Sequence, residues 1–318
     1  MPCRHNRCDK LTGLGPYAKV PVMTPPSASL AASSGVPWAA LIRLIRLRNQ
    51  TGTALLLIPT LWSLVLATHG LPALRLIAIF VAGSFLMRSA GVILNDLADQ
   101  SFDREVARTK VRPLASGELP RSFAWALLSI ILLAAATLLF FLHPLVMWLA
   151  PVALCLAALY PFSKRWIPVP QAVLGLAFGW GTVMAWAAVQ ARLDLPVWCL
   201  FAAAAAWAVA YDTIYALQDR EDDGRIGVKS AALFFGSLTW LAVGAALCTM
   251  LVLLGAAGWM TKIGWPYYAA LLSVGLFFAV QIAELRRPVD PHRAFALFRA
   301  HVWAGALILG GMVAGFLV

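Results

Sequence analysis

The chain has 318 residues, 61% of them hydrophobic and only 12% charged, with a formal net charge of +11. So few charges in so long a chain exclude an ordinary soluble domain. Runs such as FAAAAAWAVA and LLSVGLFFAV are apolar on every face, which excludes a spanning β-barrel, and the fold class that remains is all-α, a polytopic membrane bundle.

In chain order, residues 1–36 are polar and Pro-, Ser- and Gly-bearing, and have no apolar core of a signal peptide. They are expected to form a disordered tail ahead of a single membrane-embedded domain at 37–318. Met23 stands as an alternative start. Cys3, Cys8 and His5 lack a second pair of ligands, so a zinc site is not expected there. From Trp38 to Arg48, WAALIRLIRLR interleaves arginines with large apolar residues at helical spacing, the pattern of a helix lying at the membrane interface. Nine apolar runs then follow, each long enough to cross about 30 Å of hydrocarbon. They cover 52–69, 75–95, 123–142, 144–162, 171–190, 196–215, 231–256, 265–284 and 302–318. Cys155, Cys199 and Cys248 fall inside these runs and read as buried small residues.

Lys and Arg set the expected orientation. With nine spans, Arg75, Arg192 and Lys262 are the only basic residues in the loops of one side, and Arg88 lies within the second span. The rest fall on the other side, which places the N-terminus and the charged loops in the cytoplasm. The positive charge therefore reads as topology and as contact with the lipid bilayer or phosphate, not with nucleic acid.

Nine of the 14 acids gather in two patches: Asp96, Asp99, Asp103 and Glu105, then Asp212, Asp219, Glu221, Asp222 and Asp223. Asn95, Asp99 and Asp103 stand at i, i+4 and i+8, one face of a helix. Tyr215, Asp219 and Asp223 repeat that spacing 120 positions on. Carboxylates stacked in this way repel one another unless a cation holds them, and two such faces suit Mg²⁺, which completes its shell with substrate phosphate oxygens. Beside them, Arg108, Lys110, Arg112, Lys164, Arg165, Arg225 and Lys229 are candidate diphosphate partners. Arg88 is expensive in lipid and is expected to face the bundle, either as a phosphate or acid partner or as a snorkelling or structurally paired residue.

These stretches carry a resemblance. NDLADQSFD and YDTIYALQDREDDGRIGVKS resemble the two Asp motifs of the UbiA family of membrane prenyltransferases. RSAGVILND, RTKVRPLASG and YPFSKRWIPVPQAVLGLAFGW are similar to its 4-hydroxybenzoate branch. The likeness runs from about Trp38 to the C-terminus. It implies that Asn95, Asp99, Asp103, Asp219 and Asp223 hold Mg²⁺ and diphosphate, and that Arg165 binds substrate at the basic position of YPFxKR. Two departures stand out: RLRNQTG, with Arg48, Asn49 and Gln50 where the family reads Asp-Lys-Pro, and FRAHVWAG, with His301 in place of an Asn-rich stretch.

The resemblance further implies a reaction: a polyprenyl diphosphate loses its diphosphate, and the ring carbon ortho to the hydroxyl of 4-hydroxybenzoate attacks, as in ubiquinone biosynthesis. Tyr215 is expected to orient a phosphate or the substrate, or to anchor its helix at the interface. Naphthoate, haem and homogentisate are alternative acceptors. A secondary transporter is the rival from another class, since it too buries acids and repeats its motifs. Prenyl chain length and oligomeric state are left open by the sequence.

Overall fold

The computed structural model describes residues 37–318, and readings that fall on 1–36 lie outside it. The first helix, α1 (Trp38–Leu44), buries Ala40 and Leu44 and exposes Trp38. It is shorter than the basic stretch suggested, because Arg46 turns into the left-handed region at φ 56° and directs the chain towards the bundle.

The spanning elements are α2 (Thr51–Thr68), α3 (Leu74–Ala98), α5 (Arg121–Leu139), α6 (Pro144–Ser163), α7 (Gln171–Gln190) and α8 (Leu195–Ala216). They are completed by α11 (Thr239–Met260), α12 (Trp265–Glu284) and α13 (Pro291–Gly315). Short helices α4 (Gln100–Asp103), α9 (Arg220–Ile226) and α10 (Ala231–Phe235) lie between them on the charged side. Among the described residues, nine helices are long and apolar enough to cross a membrane, as the apolar runs predicted. The ninth differs at its start: α13 begins at Pro291 rather than near 302, because Asp290 accepts the Arg293 N–H at 3.0 Å and Pro291 is preset for a first turn. Its first turns carry His292 and Arg293, which a hydropathy reading passes over.

Neighbouring helices close a ring: α3 meets α6, then α7, α8, α11, α12, α13 and α2 follow back to α3, with α5 outside against α3. The α7 and α8 backbones touch, and a Cβ on Gly175 would lie 2.6 Å from the Ala205 carbonyl oxygen. The α2, α8 and α11–α13 side is densely packed. Trp62 stacks on Trp207 with centroids 4.9 Å apart, and Trp207 Nε1 donates to His301 Nδ1 at 2.8 Å. His301 is therefore a fully buried part of this core. Against α3 and α6 the packing is loose, and a cavity of about 1270 Å³ opens there. Cys155 and Cys248 are exposed and Cys199 half-exposed, so the expected burial of these cysteines is corrected: they face outward from helices that are apolar all round. Exposed Trp148, Trp259 and Trp265 mark one end of the bundle, and Trp38 and Trp166 the other, as at two membrane interfaces.

Candidate active site

The cavity is capped by both acidic patches and continues between apolar walls of α3, α5, α6 and α7. α3 carries Arg88, Asn95 and Asp96 towards the charged side and stops at Asp99. That residue caps α3 and starts α4 in one step, at φ −97° and ψ 9°. The helical path is nearly continuous: Asp99 N–H donates to Asn95 O and Asp103 N–H to Asp99 O, both at 2.8 Å. Asn95, Asp99 and Asp103 thus all line the cavity, as their spacing predicted.

Among the described residues, Asp96, Asp99 and Asp103 of the first patch each have a cation, and the exposed Glu105 has none. The Lys164 ammonium, at the end of α6, donates to Asn95 Oδ1 at 3.0 Å and to Asp99 Oδ2 at 2.8 Å. Burial alone would push its pKa down, but Tyr160 and Asp99 outweigh that and hold it above the ordinary lysine range. Arg112 forks onto Asp103 at 2.8 and 2.9 Å and reaches Asp96 at 3.1 Å. Arg46, delivered by the turn after α1, binds Asp96 at 2.8 and 2.9 Å. Burial raises the Asp103 carboxyl, and the nearby Arg112 opposes the rise.

The second patch is built differently. α8 ends at Ala216, and three successive i→i−3 bonds carry the chain to Asp219, which starts α9 at φ −108° and ψ 8°. Arg108, from the first loop, crosses to this patch. Its Nε donates to Asp219 Oδ1 at 2.9 Å, its Nη2 donates to Oδ2, and its Nη1 donates to the Tyr215 hydroxyl at 3.1 Å. Asp223 has no ion-pair partner among the described residues, and burial together with the Asp219 charge raises its carboxyl to about 6.

Other expected residues take supporting positions. Arg165 donates to the Ala98 carbonyl at 2.9 Å, over the C-terminus of α3, so within YPFSKRW it is Lys164 that touches the acids. Lys229 donates to Trp166 O at 3.0 Å, and Gln171 Oε1 accepts the Ala231 N–H at 3.0 Å, which stitches the GVKS stretch to the α6–α7 loop. Of the departures, Gln50 secures the turn before α2 by donating to Arg46 O and Leu47 O, while Arg48 and Asn49 stand at the cavity rim. Arg88 faces the cavity with no ion pair or hydrogen-bonded side chain among the described residues. Sequence reasoning named Asp96 only as a member of the first acidic patch and did not single out Arg46 or Tyr160. The only signal was the spacing of arginines in the stretch before α2.

Among the described residues, no three His, Cys, Asp or Glu side chains converge as a ready-made metal cage. Divalent cations such as Mg²⁺ take hard oxygen ligands and complete their shells with waters or phosphate oxygens. The donor set of four carboxylates and an amide oxygen at the mouth of an apolar cavity fits such ions.

Residues 56–304 match the UbiA prenyltransferase family. The chain is 44% identical over 276 residues to the 4-hydroxybenzoate octaprenyltransferase of Cupriavidus pinatubonensis, which spans 87% of this chain and 96% of that one. To the 4-hydroxybenzoate octaprenyltransferase of Pectobacterium carotovorum it is 45% identical over 279 residues, 87% of this chain and 96% of the other. The apo structure of a UbiA homolog from Aeropyrum pernix K1 superposes with a TM-score of 0.70 at 24% identity, covering 82% of this chain and 97% of that one. A UbiA homolog from Archaeoglobus fulgidus bound to GPP and Mg²⁺ has a TM-score of 0.64 at 16% identity, covering 88% and 100%. Both structures share the fold.

Proposed function

The chain belongs to the UbiA prenyltransferase family, and from that premise we propose that it transfers a polyprenyl group to the ring carbon ortho to the hydroxyl of 4-hydroxybenzoate. We infer Mg²⁺ as the cofactor, ubiquinone biosynthesis as the pathway, and the cytoplasmic face of the membrane as the location of the site. The carrying observation is the pairing of two acidic motifs with the mouth of a single long apolar cavity. That combination matches a lipid with an anionic head, and the names of the curated relatives support the acceptor.

Asp99, Asp103, Asp219 and Asp223, with Asn95, would hold the metal. Bound Mg²⁺ would neutralise the charge that builds on the departing diphosphate. Lys164, Arg108 and Arg112 already lie against these carboxylates and are placed to turn towards the diphosphate oxygens when it arrives. Tyr215 is held by Arg108 and orients that arginine. The apolar walls take the prenyl chain and keep water from the allylic carbon, where it would otherwise compete with the acceptor. Arg88, inside the cavity and without an anion, is suited to the carboxylate of the acceptor. Arg165 and Lys229 position the α3 terminus and the second motif through backbone carbonyls.

The test is a membrane assay with 4-hydroxybenzoate and a polyprenyl diphosphate, with Mg²⁺ or with EDTA, the product identified by mass. Metal-dependent 3-polyprenyl-4-hydroxybenzoate is the expected product. Prenylation of other aromatic acceptors but not of this one would overturn the acceptor and leave the metal site standing.

A further inference from the structure

Asp212 has no part in the site as described so far. It lies within α8, two turns before Asp219, and lines the cavity. Among the described residues its carboxylate has neither an ion pair nor a hydrogen bond, although Asp96, Asp99 and Asp103 each have a cation. An ionised carboxylate inside a spanning helix is costly and persists where it faces a polar space or a function. The groups that face it are Arg88 from α3, Lys164 and Tyr160 from α6, and Tyr211 on its own helix. Two cations therefore face it without engaging it, which leaves its oxygens free to accept a proton from a bound molecule.

Resting on the function proposed above, we propose that Asp212 is the general base that accepts the phenolic proton of the acceptor. Arg88 offers a cation to a carboxylate and Asp212 offers an acceptor to a hydroxyl, and a para-hydroxybenzoate carries those two groups at opposite ends of its ring. As the allylic C–O bond breaks, its electron pair leaves with the diphosphate. The ring π pair forms the new C–C bond at the ortho carbon, and the phenolic proton passes to Asp212, giving a neutral ring ketone. The ortho C–H proton then goes to the departed diphosphate, the ketone oxygen recovers its proton from Asp212, and the ring is aromatic again. Asp212 ends as it began, and no further reactant is needed.

The experiment compares wild type, Asp212→Asn and Asp212→Glu, purified in nanodiscs. The acceptors are 4-hydroxybenzoate and its 3-chloro derivative, whose phenol is more acidic and which keeps one free ortho carbon. Asp212→Asn should lose about 10²- to 10⁴-fold in kcat with 4-hydroxybenzoate at neutral pH. Its KM for the polyprenyl diphosphate should not change, which also reports that the variant is folded. The deficit should shrink with the chloro acceptor and as the pH rises, because a phenol already ionised needs no base, and Asp212→Glu should recover most of the rate. Asp212→Asn as fast as wild type, or slower by one factor with both acceptors at every pH, would overturn the proposal. Wild type that prenylates neither phenol would remove the function on which the proposal stands, a result distinct from either of these.

Discussion

The two acidic motifs have the same backbone and opposite charge surroundings. In both, the middle aspartate breaks the helix at nearly the same angles and receives the N–H of the residue four places on at 2.8 Å. In the first, Asp96, Asp99 and Asp103 are buried and matched by Lys164, Arg112 or Arg46, and Arg88 faces the cavity without an ion pair among the described residues. In the second, Asp219 is matched by an arginine from the other loop and Asp222 by Arg225, and the cavity-lining acids Asp212 and Asp223 have no ion pair among the described residues. The first is thus fixed in place by buried ion pairs. The second opens through three loose i→i−3 turns and depends on its neighbour for charge. A metal diphosphate bridging the two would find fixed ligands on one side and adjustable ones on the other.

The largest expected effect removes the feature that the motifs share. Asp99→Ala and Asp219→Ala should each lower turnover by at least about a hundredfold, while the protein still inserts and purifies as a monodisperse species. Diphosphate release and product mass measure this together. Activity retained in both variants would rule out the paired metal assignment.

The next contrast separates the two environments. Arg112→Ala leaves Asp103 buried without its partner and should destabilise the fold by about 3 kcal/mol, read as earlier thermal unfolding in detergent. Arg108→Ala breaks a pair whose arginine side chain is 42% exposed, so its effect on stability should be about 1 kcal/mol or less. Its effect should appear instead as a raised KM for the polyprenyl diphosphate. Equal destabilisation by the two changes would dissolve the distinction between a fixed and an adjustable motif.

The fold was legible because a spanning helix needs about 20 apolar residues and little else, so the runs at 171–190 and 265–284 match α7 and α12. What escaped lay where the chain leaves hydrocarbon, as at Pro291, or where a helix is apolar all round and nothing tells a core face from a lipid face, as at Cys155. The acids of the site were legible from spacing within one helix. Their partners were not, since Arg46 meets Asp96 across 50 positions and Arg108 meets Asp219 across 111. Lys164 and Arg165 are neighbours at a helix end, where successive side chains point about 100° apart. Spacing alone cannot choose between them, and the packing of α6 against α3 does.

The smallest expected effect concerns the unmatched cation of the first motif. A Cβ on Gly52 would lie 2.5 Å from Arg88 Nε and 2.6 Å from Nη2. The obstacle is the free end of a flexible side chain, so in Gly52→Ala the guanidinium moves and the helices stay. Alanine also favours the helix over glycine by about 1 kcal/mol, so the thermal stability of the variant should hold or rise slightly. A displaced Arg88 would weaken one charge-assisted contact to the acceptor carboxylate, worth about 1.4 kcal/mol, or tenfold. The KM for 4-hydroxybenzoate should therefore rise by about tenfold with the KM for the polyprenyl diphosphate unchanged. If the diphosphate parameter moved instead, Arg88 would belong with Lys164 and Arg112 on the phosphate side, and the first motif would have no cation to spare for the acceptor.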